Sequence, residues 1–219
     1  MKYSPSLLVI DFDGVLFDDA RFKKDYESLF RRAGVREEIY QKTYDTTKKQ
    51  GHYDPRIHIH LALGGASGAS VIEKNLFSQI KKFLDQSFRY LFGDVKGFLQ
   101  FLKDEEVRMV LLSTGDAAFQ NQKIAKSGLT DFFDDIVIIP HASKTNALDQ
   151  IIRKMRPESV LFIDDKREVV EHIKKSFPSV YVAQMQRGST TPAAQHIDFF
   201  VKNFTDLKEY IKEWKAAQG

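Results

Sequence analysis

Two aspartates follow an apolar run near the start of the sequence. In the segment LLVIDFDGVLFDD, residues 7–19, Asp11 and Asp13 come directly after four apolar residues. Residues two apart in an extended chain project to the same side, so the two carboxylates can face one ligand. Close carboxylates repel each other unless a cation lies between them, and Mg²⁺ prefers oxygen ligands. Gly14 then allows the backbone to turn out of the strand. Taken alone, however, such a pair is more typical of a solvated strand end.

Three further groups of polar residues make a chemical role more convincing. The run LLSTGD ends in Ser113 and Thr114, and the run FIDDKREVVE contains Asp164 and Asp165. Lys144 opens the helical segment before that second run. In an open parallel sheet, ligands bind at the carboxyl ends of the strands. A hydroxyl, a lysine and two acidic clusters are the groups needed to hold a phosphate and a metal ion together.

The elements that would carry these residues alternate along most of the chain. Six short runs rich in β-branched and aromatic residues predict strands, and four segments with apolar residues at helical spacing predict helices. The strands cover residues 6–12, 107–113, 135–139, 159–164, 179–183 and 198–201, and the helices cover residues 117–127, 144–155, 166–176 and 205–215. This alternation favours an α/β fold with a doubly wound parallel sheet, right-handed crossovers and helices on both faces.

One segment interrupts the alternation. Residues 20–93 contain no convincing strand and are too long for a single crossover. We expect helices near residues 21–33, 36–49 and 71–92, a flexible turn at GGASGAS (64–70) and a return hinge at GDVKGF (93–98). The sequence therefore predicts a core domain of residues 1–18 and 94–219, with a helical domain of residues 19–93 inserted into it.

Composition limits the class of protein. The chain has 219 residues, 42% of them hydrophobic, which is enough to bury a sizeable core. Cysteine is absent, which excludes disulfides, thiol nucleophiles and thiolate metal sites. The net charge is only +3 and basic doublets are scattered among acids, so no nucleic-acid partner is expected. Apolar runs are too short for a membrane helix, and no signal-peptide pattern occurs, so we expect a cytoplasmic protein without a membrane partner. The oligomeric state stays open.

Four motifs give the chain a family resemblance. DFDGVL, LLSTGD, SKTNAL and FIDDKREVVE occur in the order and spacing found in the haloacid dehalogenase (HAD) superfamily, and the agreement extends from about residue 7 to residue 183. The chain is similar to the phosphatase branch of that superfamily that carries a helical cap. The resemblance implies a Rossmann-like core and a cap at residues 19–93. Val15, where many relatives have threonine, is a departure that removes a hydroxyl but no catalytic group.

The resemblance also implies an activity, the Mg²⁺-dependent hydrolysis of a small-molecule phosphate monoester through an aspartyl-phosphate intermediate. Asp11 would be the nucleophile and Asp13 the general acid and base. Ser113 and Lys144 would stabilise the charge of the transferring phosphoryl group. The implied phosphate-binding residues are Ser113, Thr114, Gly115 and Lys144.

The implied cofactor is Mg²⁺. Its ligands would be Asp11, the carbonyl oxygen of Asp13 and Asp164, with Asp165 as a weaker candidate. Glu168 lies at the spacing of a further acid. The sequence leaves open which of the last three acids binds the metal directly.

Two alternative functions remain. A phosphosugar mutase of the same superfamily is the nearer one, but residues 18–24 lack the histidine and GGASGAS lacks the arginine found in the best-known mutases. The other is a non-catalytic protein that uses the fold for binding or regulation, although the complete set of motif residues weighs against it. Asp13 separates phosphate-ester enzymes from the dehalogenases of the superfamily, which lack this acid.

Further candidate residues lie in the inserted segment and shortly before Lys144. Arg56 is a candidate for binding a second anionic group of the substrate, although a solvated surface arginine is the more common case. The spacing of His58 and His60 is compatible with zinc, but because no third ligand is evident we favour histidines that serve packing or a loop. His141, three residues before Lys144, would lie at the mouth of the site or in an ordinary loop.

Overall fold

The computed structural model describes residues 5–49, 53–64, 69–140, 143–188 and 193–216. Within them, six parallel strands form one sheet in the order β3-β2-β1-β4-β5-β6. The strands are β1 (Leu7–Ile10), β2 (Arg108–Thr114), β3 (Asp135–Ile139), β4 (Val160–Asp164), β5 (Tyr181–Met185) and β6 (Phe199–Val201). The helices are α1 (Asp19–Arg32), α2 (Glu37–Lys49), α3 (Pro55–Ala62), α4 (Ala69–Leu84), α5 (Val95–Asp104), α6 (Ala117–Ser127), α7 (Lys144–Met155), α8 (Arg167–Ser176) and α9 (Phe204–Ala216). The predicted doubly wound α/β fold is confirmed.

The central strand β1 lies between β2 and β4. Its four residues are fully buried, and Ile10 pairs with Leu111 of β2 on one side and with Ile163 of β4 on the other. Apolar side chains on one face of the sheet pack against α7 and α8. Because β1 is enclosed by protein, the residues that follow it can reach a ligand only at the carboxyl edge of the sheet.

The chain divides into two compact units. The first consists of Met1–Asp18, Leu91–Thr114 and Leu129–Gly219, and the second consists of Asp19–Tyr90 and Gly115–Gly128. The sequence pattern predicts that residues 115–128 belong to the core, whereas in the structure α6 groups with the inserted helices. Phe119 of α6 contacts the rings of Tyr26 and Tyr53, and Lys126 Nζ lies 2.7 Å from Asp85. The role of the second unit as a cap stays a prediction.

Two helices were not predicted from the sequence. Helix α3 begins at Pro55, and the Asp54 side chain caps it by accepting a hydrogen bond from the backbone N–H of Arg56. An aspartate followed by proline is a start signal for a helix, which the sequence analysis did not use. Helix α5 occupies part of the predicted return hinge, where Val95, Phe98, Leu99 and Leu102 form a buried helical stripe. In addition, α4 ends at Leu84 rather than at residue 92.

None of the described helices is long and apolar enough to cross a membrane.

His58 lies in the aromatic core of the second unit. It is fully buried, its Nδ1 lies 2.8 Å from the Tyr53 hydroxyl, and its Nε2 lies 3.3 Å from the carbonyl oxygen of Tyr40. Burial lowers the pKa of His58 to about 4, so the ring is neutral near pH 7. His60, by contrast, is exposed and contacts Glu73 at 3.1 Å. The two histidines therefore lie in different surroundings, one in the core and one at the surface, and do not form a shared zinc site.

Burial of His58 predicts a pH-dependent stability. Between pH 6.5 and pH 4 the unfolded chain protonates this ring and the folded chain does not. Acidification through that window should therefore lower the free energy of unfolding by up to about 3 kcal/mol through this residue alone. Urea unfolding of the wild type and of His58→Gln at several pH values isolates the effect. The difference between the two proteins should shrink as the pH falls, and a constant difference would contradict the prediction.

Candidate active site

Asp11 and Asp164 occupy equivalent positions on neighbouring strands. Asp11 follows Ile10, Asp164 follows Ile163, and these two isoleucines are paired in register. The backbone N–H of Asp11 also donates to the carbonyl oxygen of Ile163 at 3.0 Å. Both aspartates are buried, with 4% and 0% of their surface exposed. The strand register therefore brings two carboxylates together at the carboxyl edge of the sheet, as the sequence predicts.

Lys144 joins these two carboxylates. Its Nζ lies 2.9 Å from Asp11 Oδ1 and 2.6 Å from Asp164 Oδ2, with only 5% of the side chain exposed. The lysine is placed by the start of α7, where the Ser143 side chain accepts a hydrogen bond from the backbone N–H of Thr145. Burial lowers the pKa of Lys144, but the carboxylates of Asp11 and Asp164 outweigh burial and the net shift is upward. The lysine is therefore a permanent cation in the site.

Asp11 keeps one oxygen available. Its Oδ1 accepts hydrogen bonds from Lys144 and from the backbone N–H of Phe12, the latter at 2.8 Å. Among the described residues, no hydrogen bond reaches Oδ2. Burial raises the pKa of Asp11 to about 7; Lys144 opposes this shift, while Asp164 and Asp13 add to it. A further cation at the site would favour the ionised form that a nucleophile needs.

The acidic cluster fits a divalent cation. Asp11, Asp164 and Asp165 each offer a carboxylate oxygen, and these oxygens lie within 4.8 Å of one another. Both oxygens of Asp164 are already bonded, one to Lys144 and one to the backbone N–H of Lys166 at 2.9 Å. Oδ1 of Asp165 is buried and has no hydrogen-bond partner among the described residues. Burial, reinforced by Asp164, raises the pKa of Asp165 to about 6. A buried carboxylate oxygen without a partner is costly, and a cation would remove that cost.

Asp13 belongs to a tight turn after β1. The backbone N–H of Gly14 donates to Phe17, and those of Leu16 and Phe17 donate to the Phe12 carbonyl oxygen, at 2.9 to 3.0 Å. Gly14 has a φ of +79° and lies against Asp165: a Cβ at this position would be 2.5 Å from Asp165 Oδ2. Glycine is therefore needed here both for its backbone conformation and for the space that the Asp165 carboxylate occupies.

The two hydroxyl residues at the end of β2 differ in exposure. Ser113 is fully buried and Thr114 is exposed. Because Ile10 pairs with Leu111, Asp11 lies level with Leu112, and strand alternation places Thr114 on the same face as Leu112. Both hydroxyl residues thus lie at the edge that carries Asp11, and their phosphate contacts stay predictions.

The remaining candidates are outside this acidic cluster or cannot be located. Gly115 groups with the second unit. Arg56 is also in the second unit, where its guanidinium lies 4.8 Å from the centre of the Phe77 ring, and its substrate contact stays a prediction. Glu168 is exposed in the first turn of α8 and is not part of the cluster. His141 and the central part of GGASGAS (residues 65–68) lie outside the described residues.

Gln184 was missed in the sequence analysis. It pairs with Asp164 in the sheet, is fully buried, and donates through Nε2 to the backbone carbonyl oxygen of Asp165 at 3.3 Å. Its Oε1 accepts from the backbone N–H of Ala194 at 2.7 Å. A polar residue in the otherwise apolar run YVAQM was the available signal, because a buried amide needs partners.

The chain matches one protein family and many solved structures. The family model of haloacid dehalogenase-like hydrolases covers residues 5–176. A haloacid dehalogenase-like hydrolase from Burkholderia xenovorans LB400 is 22% identical, with a TM-score of 0.70 over 95% of this chain and 97% of that one. A 2-haloacid dehalogenase from Pseudomonas syringae pv. Tomato DC3000 is 14% identical, with a TM-score of 0.70 over 95% and 98% of the chains. No significant match was found among curated protein sequences.

A further similar structure is that of the HAD-family protein YfnB from Bacillus subtilis, bound to magnesium. It is 13% identical and gives a TM-score of 0.61 over 94% of this chain and 97% of that one. At these identities, the likeness to solved structures shows a common fold and carries no information about the substrate of this chain.

Because Gly14 lies against Asp165, a methyl group added at residue 14 should lower the free energy of unfolding more than one added at a glycine with open space around it. Gly34 has a similar φ of +86° but has no atom within 4 Å of an added Cβ, so it provides a matched control. Gly34→Ala should lower the free energy of unfolding by about 1 kcal/mol through backbone strain. Gly14→Ala should cost a further ~1 to 3 kcal/mol, because the methyl group displaces a buried carboxylate. Denaturant unfolding measures both, and equal costs would show that Asp165 does not occupy this space.

Proposed function

Because the chain belongs to the family of haloacid dehalogenase-like hydrolases, we propose that it hydrolyses a small-molecule phosphate monoester with Mg²⁺ as cofactor. The observation that carries the proposal is the state of Asp11: one carboxylate oxygen is held by Lys144 at 2.9 Å, and the other lacks a hydrogen bond among the described residues. A carboxylate oriented in this way is suited to nucleophilic attack. Asp13, two residues later, supplies the acid that a phosphate ester requires.

The first step would transfer the phosphoryl group to the protein. Asp11 Oδ2 attacks phosphorus, the bond to the ester oxygen breaks, and Asp13 donates a proton to the departing alkoxide. Lys144 keeps Asp11 oriented and offsets negative charge on the transferring oxygens. Ser113 and Thr114, at the end of β2, are proposed to donate hydrogen bonds to those oxygens.

The second step would release phosphate. Asp13, now ionised, takes a proton from a water molecule, whose oxygen attacks phosphorus and frees the Asp11 carboxylate. A Mg²⁺ ion, when bound, would reduce the repulsion between the anionic phosphate and the carboxylates. The groups proposed to hold it are the carboxylates of Asp11 and Asp165 and the backbone carbonyl oxygen of Asp13. Asp164 would serve mainly to hold Lys144.

Phosphate-ester chemistry is favoured over the alternatives by particular residues. The dehalogenases of the superfamily lack an acid at the position of Asp13. A phosphosugar mutase would pass the phosphoryl group back to a sugar instead of to water, so its product would be an isomer of the substrate rather than free phosphate. A non-catalytic protein would have no use for the buried ion pairs of Lys144 with two carboxylates, which are costly to desolvate.

The proposal predicts loss of turnover when Asp11 is neutralised. Wild-type protein with Mg²⁺ should release inorganic phosphate from at least one member of a metabolite phosphomonoester panel. Asp11→Asn should lower that rate by about 10³-fold or more, because the amide cannot form the acyl phosphate. Asp149→Asn, on the exposed side of α7, is the matched control and should keep full activity. Absence of phosphate release across the panel would refute the hydrolase, and formation of a phosphorylated isomer would support the mutase.

The hydrogen bonds of the acidic cluster predict an order of metal affinities. Asp165→Asn should weaken Mg²⁺ binding by ~100-fold, because it neutralises the carboxylate whose Oδ1 has no hydrogen-bond partner within the described ranges. Asp164→Asn should weaken it by only ~10-fold, since this residue acts on the metal through Lys144. Calorimetric titration with MgCl₂ measures both, with Asp149→Asn again as control. A larger loss in Asp164→Asn would instead support Asp164 as the direct ligand.

A further inference from the structure

The turn that carries Asp13 is held by hydrogen bonds among its own backbone groups. Four of its backbone N–H groups, those of residues 14–17, donate to the carbonyl oxygens of Phe12 and Phe17. The ring of Phe12 stacks on that of Phe17, with centroids 4.8 Å apart. These bonds fix the shape of the turn, whereas the carbonyl oxygens of Val15 and Leu16 bind residues outside it and so help to fix its position.

Both outward carbonyls are bound by residues distant in sequence. The backbone N–H of Phe92 donates to Leu16 at 3.2 Å. Arg187, two residues after β5, donates through Nε to the carbonyl oxygen of Val15 at 3.2 Å. Val15 is itself fully buried and has no polar side-chain atom, so hydrogen bonds can hold this residue only through its backbone. Arg187 thus supplies a side-chain contact to the turn that neither local sequence nor sheet pairing provides.

Arg187 is held in one position by three residues other than Val15. Its Nη1 lies 2.7 and 2.8 Å from the two carboxylate oxygens of Asp94, and its guanidinium lies over the rings of Phe92 and Phe204, at 4.3 and 4.7 Å. Asp94 is fixed in turn by the backbone N–H of Phe204 at 2.7 Å. Only 10% of the Arg187 side chain is exposed. A charged group buried and stacked in this way loses little further entropy when it binds Val15.

We propose that Arg187 is a positioning residue for Asp13: by binding the Val15 carbonyl oxygen while anchored to Asp94, it holds the turn of residues 12–17 in the place where Asp13 protonates the leaving group. Arg187 itself touches neither the acidic cluster nor Lys144. The inference rests on the proposed phosphatase function for the role of Asp13, but not for the contact between Arg187 and the turn. Both can therefore be tested separately.

The role in proton transfer is tested with two substrates. An alkyl phosphate needs protonation of its leaving oxygen. The p-nitrophenolate group of p-nitrophenyl phosphate, by contrast, leaves readily without a proton. Arg187→Met keeps an apolar chain between the two phenylalanine rings and removes the donor to Val15. It should lower kcat/KM for the alkyl phosphate by about tenfold more than for p-nitrophenyl phosphate. Equal losses on both substrates, or no loss, would overturn the proposal, because a general loss of folded protein does not discriminate between leaving groups.

The contact itself is tested without any reaction. Amide hydrogen exchange at Gly14, Leu16 and Phe17 should be at least ~10-fold faster in Arg187→Met than in the wild type, because the turn opens more often. Lys174→Met removes another partly buried cation, paired with Asp198, and should leave exchange in the turn unchanged. Arg187→Lys, which keeps a cation for Asp94, serves if Arg187→Met does not fold, and should also speed exchange in the turn.

The outcomes separate the two proposals. Unchanged exchange in the Arg187 variants would overturn the inference, whatever the activity. Faster exchange in a protein whose wild type releases phosphate from no member of the panel would refute the phosphatase and still establish that Arg187 holds the turn. Faster exchange together with the selective loss on the alkyl phosphate supports both.

Discussion

The ion pairs of Lys144 with Asp11 and Asp164 are the interaction on which the rest of the structure depends. Removing three charged groups from water costs several kcal/mol for each ion, and the attraction between them compensates only when the geometry is well fixed. The distances of 2.9 and 2.6 Å show that it is fixed here. That geometry requires β1 and β4 to be paired in one register and α7 to begin at one residue. The hydrophobic packing of α7 and α8 against the sheet thus serves to hold three charges in place.

The same cluster contains more acidic than basic groups. Asp11, Asp164 and Asp165 face one ammonium group, and burial with mutual repulsion raises the pKa of Asp11 and Asp165. Binding an anionic phosphate would make the excess of negative charge worse. A divalent cation would offset the negative charge of both the phosphate and the carboxylates, which is the physical reason that the proposed function includes Mg²⁺. Within the part of the chain that the structure describes, Oδ1 of Asp165 is a buried carboxylate oxygen of this cluster without a hydrogen-bond partner.

The fold and the core of the site were predictable because both follow from local patterns. Continuous apolar runs define the strands, and the acids at their ends meet because parallel strands share a carboxyl edge. The family resemblance ranks Asp164 before Asp165 as a metal ligand, and the proposed metal site reverses that order. The choice depends on which of them Lys144 and the backbone of Lys166 bind, and local sequence does not show this. The grouping of α6 with the inserted helices was missed for a similar reason. Its partners, among them Tyr26 and Asp85, lie far away in sequence.

The ends of the inserted unit are joined to each other within the first unit. Phe17 and Leu91 form an antiparallel bridge, and Leu16 accepts a hydrogen bond from Phe92 at 3.2 Å. The two segments of the first unit that flank residues 19–90 are therefore bonded to each other, directly after the turn that carries Asp13. These bonds, like the ion pairs of Lys144 with Asp11 and Asp164, join residues of the first unit. The turn that carries Asp13 is therefore anchored by the same unit that supplies the acidic cluster.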